Sequence, residues 1–377
     1  MAVEPVWIRG GADRAAVNEL AAALADRLRY DRPTTPILMA ADADQAQAMR
    51  ARLTQPLTGT DVIVATSGSA HGVGRLVGLS WAAVLASAQA TTARLGGPGQ
   101  WLTTLPTTSI AGFQVVLRSV LAGIAPVVYE PDPRFEAAAF ATQVASLSSA
   151  GPHYVSLVPT QLIRVLDTAP EALAHFAAVL VGGAQLPVEV AARARAAGVR
   201  VVATYGMTET AGGCVYDGKP LEGAGVAVRE GKIQLRGRVL MNGYLDTAVQ
   251  PFESEGEVRW LQTGDLGRWE NGRLQVLGRA DDVIISGGVN VHPAVVEQAL
   301  ASLGGQWVVV GIPDPEWGQQ LVAVSDGEVL PDIAAVRAAA ARLPAAARPK
   351  RVARVAPLPL LSTGKVDRRR VARRLSD

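Results

Sequence analysis

Residues 199–210 read VRVVATYGMTET, an apolar run that passes directly into a polar turn. The β-branched residues of 199–204 predict a buried strand. In the turn, the Tyr205 ring can stack on a purine, the Thr208 hydroxyl can bind phosphate, and the Glu209 carboxylate can hold Mg²⁺. An ordinary turn that begins a helix capped by Thr208 explains the same residues.

On the N-terminal side of this stretch, short apolar runs alternate with alanine-rich amphipathic segments. The predicted strands are 61–66, 101–105, 125–129, 154–158, 178–181 and 199–204. The predicted helices are 13–29, with Asp13 as its N-cap, 80–95, 112–121, 135–148 and 188–197. This alternation predicts α/β layers around a mostly parallel sheet, whose ligands gather at the loops after the carboxyl ends of the strands.

The C-terminal third of the chain has a different pattern. Two stretches with glycine and polar turns, 226–239 and 258–277, predict a small β-rich subdomain. A polar boundary at 278–282 precedes a predicted helix, two strands and another helix. We therefore expect a large α/β domain over 1–278 and a small α+β domain over 279–377.

Composition excludes several classes of protein. The chain has 377 residues, of which 49% are hydrophobic and 19% charged, and its net charge is +2. This near balance gives no indication of nucleic acid as a partner. Cys214 is the only cysteine, which excludes an intramolecular disulfide and fits a cytoplasmic location. No apolar run is long enough for membrane insertion, and the first 18 residues lack the pattern of a secretory signal.

A second polar segment, ATSGSAHGVGR over 65–75, also follows a predicted strand. It combines small residues, hydroxyl groups and a terminal cation. The backbone N–H groups of such a loop can approach phosphate oxygens, and Arg75 can pair with their charge. The alternative is a flexible strand-to-helix turn, and the Gly-Lys-Ser/Thr ending of a Walker loop is absent.

Three further segments carry polar or glycine residues that can contact a nucleotide or a narrow ligand. Asp265, in the sequence TGD, can accept hydrogen bonds from ribose hydroxyls or form an Asx-turn. Gly287 and Gly288 allow a narrow ligand to pass close to the backbone. Lys365 is a cation that can reach a phosphate, or a solvated lysine.

The segments TSGS, YGMTET, TGD, GRADDVIISGGVNVHP and STGK together resemble, in order and spacing, the core motifs of the adenylate-forming superfamily. The resemblance extends over residues 62–370. Within the superfamily, the stretches 105–120 and 212–218 are similar to the o-succinylbenzoate–CoA ligases of menaquinone synthesis, in their compact actinobacterial form.

This resemblance implies an AMP-forming acid–CoA ligase that uses ATP, Mg²⁺ and CoA. A carboxylate, o-succinylbenzoate, first forms acyl-AMP, and CoA then displaces AMP. The small domain would rotate about Asp281 between the steps, removing Lys365 and bringing in Gly287 and Gly288 beside the pantetheine.

The resemblance also assigns roles by position. Lys365, Thr208, Glu209 and Ser109 would be catalytic, with Glu209 as the metal ligand. Nucleotide and CoA contacts would come from Thr66, Ser67, Gly68, Ser69, Arg75, Gly182, Gly183, Ala184, Tyr205, Gly206, Met207, Asp265, Arg279, Asp281, Gly287 and Gly288.

Two positions depart from the superfamily pattern. Residues 69–75 replace most of a TSGTTGxPK loop, and Ser109 stands where a histidine is usual. These departures make a weakly active or non-catalytic nucleotide-binding relative an alternative. Another aryl- or acyl-CoA ligase is a second alternative, because the stretches that indicate the substrate are less specific than the superfamily motifs. An enzyme that loads a carrier protein is a third, because CoA and a carrier protein both present a pantetheine thiol to Gly287 and Gly288. Arg118, within an apolar helix, would contact the second carboxylate of o-succinylbenzoate or form a structural ion pair. The sequence is compatible with an oligomer.

Overall fold

The computed structural model describes residues 4–29, 35–66, 74–130, 135–148, 150–360 and 366–376. Internal contacts divide the chain into two units. The first unit comprises Met1–Gly183, Arg193–Ala227 and Gln234–Gln262, and the second comprises Ala184–Ala192, Val228–Ile233 and Thr263–Asp377. The domain boundary expected after residue 278 stays a prediction.

Helices and strands alternate in the first two thirds of the chain. The helices are α1 Arg14–Arg29, α2 Ala43–Ala51, α3 Trp81–Leu95, α4 Ile110–Ala122, α5 Ala137–Val144, α6 Pro159–Thr168, α7 Val188–Ala196, α8 Pro293–Leu300, α9 Ile333–Ala339 and α10 Arg368–Ser376. The strands are β1 Val6–Arg9, β2 Ile37–Ala40, β3 Val62–Ala65, β4 Leu76–Leu79, β5 Gln100–Thr103, β6 Val127–Val128, β7 His153–Leu157, β8 Ala178–Val181, β9 Val201–Met207, β10 Gly212–Tyr216, β11 Lys219–Pro220, β12 Ala224–Arg229, β13 Lys232–Gly237, β14 Gly243–Tyr244, β15 Phe252–Glu255, β16 Val258–Glu270, β17 Arg273–Arg279, β18 Ile284–Ser286, β19 Val289–Val291, β20 Trp307–Asp314, β21 Gly318–Ser325 and β22 Arg351–Arg354.

The first sheet has the strand order β1-β2-β3-β4-β14. Its first three strands are parallel, whereas β4 is antiparallel to β3 and β14 is antiparallel to β4. Leu38, Ile63 and Leu76 of this sheet are fully buried and pack with Met49 of α2 and Leu245. The first helix begins as predicted, because the Asp13 carboxylate accepts a hydrogen bond from the Ala16 N–H at 3.0 Å.

The second sheet has the order β11-β10-β9-β8-β7-β5-β6, and β5 to β9 are parallel. The α3 and α4 helices pack against each other and against β10. Trp101, Tyr154 and Tyr216 are buried in the core between these elements. This arrangement confirms the predicted α/β layers, and it places the ends of β8 and β9 side by side, where ligands of such sheets bind.

The third sheet has the order β12-β13-β16-β15, with β17 paired to β16. The fourth sheet, in the second unit, has the order β19-β18-β21-β20, with β22 parallel to β21. Alternate residues of β20 point to opposite faces, so Val309 packs towards α8 and α9 while Val308 and Val310 pack towards α10. Across the described ranges, no helix has both the length and the apolar character needed to cross a membrane.

Candidate functional site

Tyr205 and Glu209 lie on a strand–turn–strand unit. β9 continues through Tyr205 to Met207, residues 208–210 form one turn of 3₁₀ helix, and β10 returns antiparallel. A Cβ on Gly206 would lie 2.2 Å from the Gly212 carbonyl oxygen, so glycine is required where the strands meet. The alternative of a helix capped by Thr208 is therefore wrong, because the chain reverses after one turn.

Thr210 holds this turn from inside. Its buried hydroxyl accepts a hydrogen bond from the Met207 N–H at 3.0 Å and donates to the Gly212 carbonyl at 2.7 Å. Glu209 is held from outside the turn, since its carbonyl accepts a bond from the Met241 N–H at 2.8 Å and its Oε1 accepts one from the Tyr244 hydroxyl at 2.8 Å. The structure thus fixes the backbone and the carboxylate of Glu209.

Gly182 and Gly183 follow β8, beside the end of β9. A Cβ on Gly182 would lie 2.2 Å from Oγ1 of Thr204, so glycine is needed for the close approach of the two strand ends. Gly183 has a φ of 82°, in the region that favours glycine. Ala184 belongs to the second unit by internal contacts.

The phosphate-loop segment links β3 to β4. The Thr66 N–H donates to the Arg75 carbonyl at 2.9 Å, and the Arg75 N–H donates to Oγ1 of Thr66 at 2.9 Å. Because β4 is a strand, the alternative of a strand-to-helix turn is wrong. The three predicted phosphate contacts between these anchors lie outside the described residues: Ser67, Gly68 and Ser69.

Ser109 is the N-cap of α4. Its hydroxyl accepts a hydrogen bond from the Gly112 N–H at 3.1 Å and donates to the Pro106 carbonyl at 2.7 Å. A Cβ on Gly112 would lie 2.2 Å from that same carbonyl oxygen, so the first turn of the helix requires glycine. The Ser109 side chain thus stabilises the start of α4.

Arg118 is a buried cation in the middle of the second sheet's core. Only 6% of the residue is exposed, and its guanidinium lies 4.2 Å from the centroid of the Trp101 ring. Burial lowers the pKa of Arg118 to about 10, and the adjacent Tyr216 hydroxyl partly offsets this effect. Arg118 is still protonated at neutral pH, yet within the described ranges its Nε has no hydrogen-bond partner and no carboxylate accompanies it. The structural ion pair considered from the sequence is therefore not found there.

Gln114, one turn before Arg118, was not singled out by the sequence. Its amide donates to the Val84 carbonyl at 3.1 Å and to the Ala211 carbonyl at 2.8 Å. Ala211 directly follows the 3₁₀ turn and has a φ of 50°. Gln114 thus ties the helix that carries Arg118 to the turn that carries Glu209. The sequence did contain a signal for Gln114: it lies four residues before Arg118 on an otherwise apolar helix, so the two polar side chains share one face.

Asp265 and Arg279 face each other across paired strands of the second unit. They are register partners in β16 and β17, and the Arg279 Nη1 lies 3.7 Å from Oδ1 of Asp265. A Cβ on Gly264 would lie 2.5 Å from the Arg279 guanidinium, so glycine makes room for it. Asp265 lies inside a strand, and its expected position in a tight turn is wrong.

Asp281 completes this acidic and basic group. The Arg279 Nε donates to Oδ1 of Asp281 at 2.9 Å, and this hydrogen bond holds the pKa of Asp281 below its usual value. Burial by itself would lower the pKa of Arg279, but Asp281 and Asp265 outweigh burial and raise it. Arg279 therefore stays charged between two carboxylates.

Gly287 and Gly288 form the turn between β18 and β19, with φ values of 55° and 76°. Two positive φ values match the tight hairpin turn that glycine favours. A Cβ on Gly287 would lie 2.8 Å from the Trp317 ring. A cavity of about 580 Å³ adjoins the turn, and its lining consists of Ile285, Gly287, Gly288, Glu316, Trp317, Gly318 and Gln319.

Lys365 lies outside the described residues. The residues that flank 361–365 are described: Leu360 and Val366 form an antiparallel bridge, and the Asp367 N–H donates to the Pro359 carbonyl at 2.9 Å.

Glu209 provides a suitable ligand for Mg²⁺. Wherever side chains are described, no group of three or more His, Cys, Asp and Glu residues can hold a metal ion by itself. Mg²⁺ in nucleotide sites needs only one or two protein carboxylates, because substrate phosphates and water supply the other oxygens. A single oriented carboxylate therefore fits a magnesium ion that arrives with ATP.

Comparison with known proteins gives concordant matches. The family profile described as AMP-binding enzyme matches residues 12–245. The chain is 42% identical over 328 residues to a Mycobacterium tuberculosis protein named probable 2-succinylbenzoate–CoA ligase, covering 84% of each chain. It is 32% identical over 275 residues to the 2-succinylbenzoate–CoA ligase of Escherichia coli K12, covering 69% of this chain and 57% of that protein.

A solved structure of an E. coli MenE variant with bound OSB-AMS has the same fold. The TM-score is 0.71 at 27% identity, and the match covers 84% of this chain and 69% of that chain.

Proposed function

This chain belongs to the AMP-binding enzyme family, and from that premise we propose that it is an o-succinylbenzoate–CoA ligase of menaquinone synthesis. A carboxylate oxygen attacks the α-phosphorus of ATP, which gives acyl-AMP and releases pyrophosphate. The CoA sulfur then attacks the acyl carbon, forms the thioester and releases AMP. The cytoplasmic location indicated by the sequence remains a prediction.

The first unit contributes most of the residues that contact ATP, whereas Ala184 belongs to the second unit. Tyr205 stacks on adenine, with Gly206 and Met207 beside it, and Gly182, Gly183 and Ala184 line the adenine and acyl pocket. Thr66, Ser67, Gly68, Ser69, Arg75 and Thr208 bind the phosphates. Glu209 holds Mg²⁺, which when bound stabilises negative charge on the phosphate oxygens. The fixed carboxylate of Glu209 and the exposed side chain of Arg75 support these assignments.

The second unit contributes Asp265, Arg279 and Lys365. The Asp265 carboxylate binds the ribose hydroxyls, and Arg279 orients that carboxylate across the paired strands. Lys365 places its ammonium group between the substrate carboxylate and the α-phosphate, where negative charge accumulates in the transition state. For the second step, rotation about Asp281 brings Gly287 and Gly288 beside the pantetheine arm of CoA.

The observation that carries the substrate assignment is Arg118, which is buried and has no carboxylate partner among the described residues. It lies on the helix that Gln114 ties to the turn of Glu209. A buried cation without an anionic partner is costly unless a ligand supplies the anion. o-Succinylbenzoate carries a second, aromatic carboxylate besides the one that is activated. Arg118 binds that carboxylate directly or through water.

The function is tested by incubating the protein with ATP, Mg²⁺, CoA and o-succinylbenzoate. We expect the CoA thioester and AMP in equal amounts, measured by mass spectrometry. Thioester from a different acid only would overturn the substrate assignment. Binding of ATP without AMP formation from any acid would overturn the enzymatic function and favour a nucleotide-binding relative.

Arg118→Lys tests the role of the buried cation. Lysine keeps the charge but loses the planar, forked donor, so we expect KM for o-succinylbenzoate to rise about tenfold while KM for ATP is unchanged. The chemical control is the analogue that lacks only the aromatic carboxylate. Wild-type protein should prefer o-succinylbenzoate to this analogue more strongly than the variant does, and an equal preference would exclude contact with that carboxylate.

A further inference from the structure

Tyr244 lies next to two groups that the proposed function assigns to the ATP phosphates. Its hydroxyl donates to Oε1 of Glu209 at 2.8 Å, and the Arg75 guanidinium lies 6.0 Å from the centroid of its ring. Glu209 and Arg75 belong to segments that are far apart in the sequence. Tyr244 connects them although no motif pointed to it.

The backbone of Tyr244 is fixed on both sides. On one side β14 pairs with β4, so that Tyr244 is opposite Val77, two residues after Arg75. On the other side the Gln250 amide makes two bonds, accepting from the Tyr244 N–H at 2.7 Å and donating to its carbonyl at 2.9 Å. A Cβ on Gly243 would lie 2.7 Å from the Gln250 oxygen, so a larger residue there would displace the Gln250 amide.

This support determines where the phenol group lies. Because β4 and Gln250 hold the backbone of Tyr244, its hydroxyl group has a fixed position beside the 3₁₀ turn of Glu209. The Met241 N–H, on the same segment, donates to the Glu209 carbonyl at 2.8 Å. The segment therefore binds both the main chain and the side chain of Glu209.

A carboxylate has about four acceptor positions, and a bond from a phenol takes up one of them while it orients the group. Groups that hydrogen-bond to a metal ligand fix its orientation. Removing such a group typically lowers the metal affinity by about 10- to 100-fold. We propose that Tyr244 is a positioning residue that orients Glu209 for the Mg²⁺ ion of MgATP. This inference rests on the proposed function.

Tyr244→Phe tests the inference, because it removes the hydroxyl and keeps the ring. Calorimetric titration of the full-length chain with ATP, in the absence of any carboxylic acid, measures binding without turnover. We expect the Mg²⁺ concentration for half-maximal ATP binding to rise about tenfold. ATP binding at saturating Mg²⁺ should approach that of the wild type.

Pyrophosphate release with o-succinylbenzoate provides a second measurement. The variant should be slow at low Mg²⁺, and excess Mg²⁺ should restore its rate. Formation of thioester from separately prepared acyl-AMP and CoA should be unchanged, because that step involves no pyrophosphate. A merely structural defect would lower the rates of both steps at every Mg²⁺ concentration.

Two further variants complete the test. Tyr129→Phe is the matched control, because the Tyr129 hydroxyl makes a comparable bond, accepting from the Glu136 N–H at 2.8 Å, in another part of the first unit. Its Mg²⁺ dependence should equal that of the wild type. Glu209→Gln should shift the Mg²⁺ dependence at least as much as Tyr244→Phe.

The outcomes separate the two proposals. Unchanged Mg²⁺ dependence in Tyr244→Phe, in a protein whose wild type makes acyl-AMP, would overturn the inference alone. Unchanged Mg²⁺ dependence in Glu209→Gln would overturn it as well, since Glu209 would not be the ligand. A wild type that binds MgATP but makes no acyl-AMP would refute the proposed function, and a shift in Tyr244→Phe would still support the positioning role.

Discussion

Lys365→Ala should slow acyl-AMP formation by about 100- to 1,000-fold, the usual effect of removing one preorganised donor from a developing negative charge. The attacking carboxylate and the α-phosphate are both anionic, so their approach requires a cation between them. Thioester formation from prepared acyl-AMP should change little, because the proposed rotation removes Lys365 before that step. Single-turnover measurements of AMP and thioester separate the two rates.

Lys219→Ala is the matched control, since Lys219 is an exposed lysine on β11 with no assigned role. Its two rates should equal those of the wild type. Lys365→Arg keeps the charge with a different geometry and should recover only part of the first rate. Equal slowing of both steps in Lys365→Ala would show that the lysine supports the structure or acts in both reactions.

Arg368→Ala should destabilise the second unit by about 2–4 kcal/mol, between the values typical of exposed and of buried ion pairs. The Arg368 guanidinium forms a two-pronged pair with the Glu297 carboxylate of α8 and also donates to the Val309 carbonyl at 3.1 Å. Glu297 in turn accepts a bond from the Val309 N–H at 2.7 Å. Burial by itself would lower the pKa of Arg368, but Glu297 and Asp282 together outweigh burial and raise it.

The loss is measured best by amide hydrogen exchange, because protection in β20 reports the stability of this unit alone. Arg373→Ala removes an exposed arginine from the same helix and should leave that protection unchanged. Similar exchange in Arg368→Ala and Arg373→Ala would mean that the pair with Glu297 contributes no more to stability than an exposed charge does. Glu297→Gln should produce part of the effect of Arg368→Ala, because it removes the charge of the closer carboxylate while Asp282 stays 3.9 Å from the Arg368 Nε.

The buried strands were predictable because their short runs are rich in apolar residues and end in clear turns. The predicted strand 178–181 coincides with β8, and the predicted helix from residue 80 begins at Trp81 with Ser80 as its N-cap. β4 was missed, because its four residues include a glycine and lie directly against that helix. Its strand conformation depends on pairing with β3, which no local pattern reports.

The sequence motifs identified residues of the candidate site, but they did not predict which of those residues contact each other. Tyr205, Glu209, Asp265 and Arg279 stand out by residue type and by their positions at the ends of apolar runs. Asp265 was expected in a turn, because the sequence TGD is typical of turns, but its pairing with Arg279 keeps it within β16. Tyr244 lies 35 residues from Glu209, and only the fold brings them together. Contacts between residues so far apart in the sequence leave no periodic pattern from which they could be predicted.

The Gln114 amide has a consequence for protein engineering. Its bond from α4 to the Ala211 carbonyl couples, under the proposed function, selectivity for the acid to affinity for ATP. Packed interiors transmit displacement, and a substitution that shifts α4 to admit a new acid also moves the turn that carries Glu209. A library aimed at new substrates should therefore hold Gln114 constant, and each selected variant should be assayed for ATP affinity as well as for its new acid.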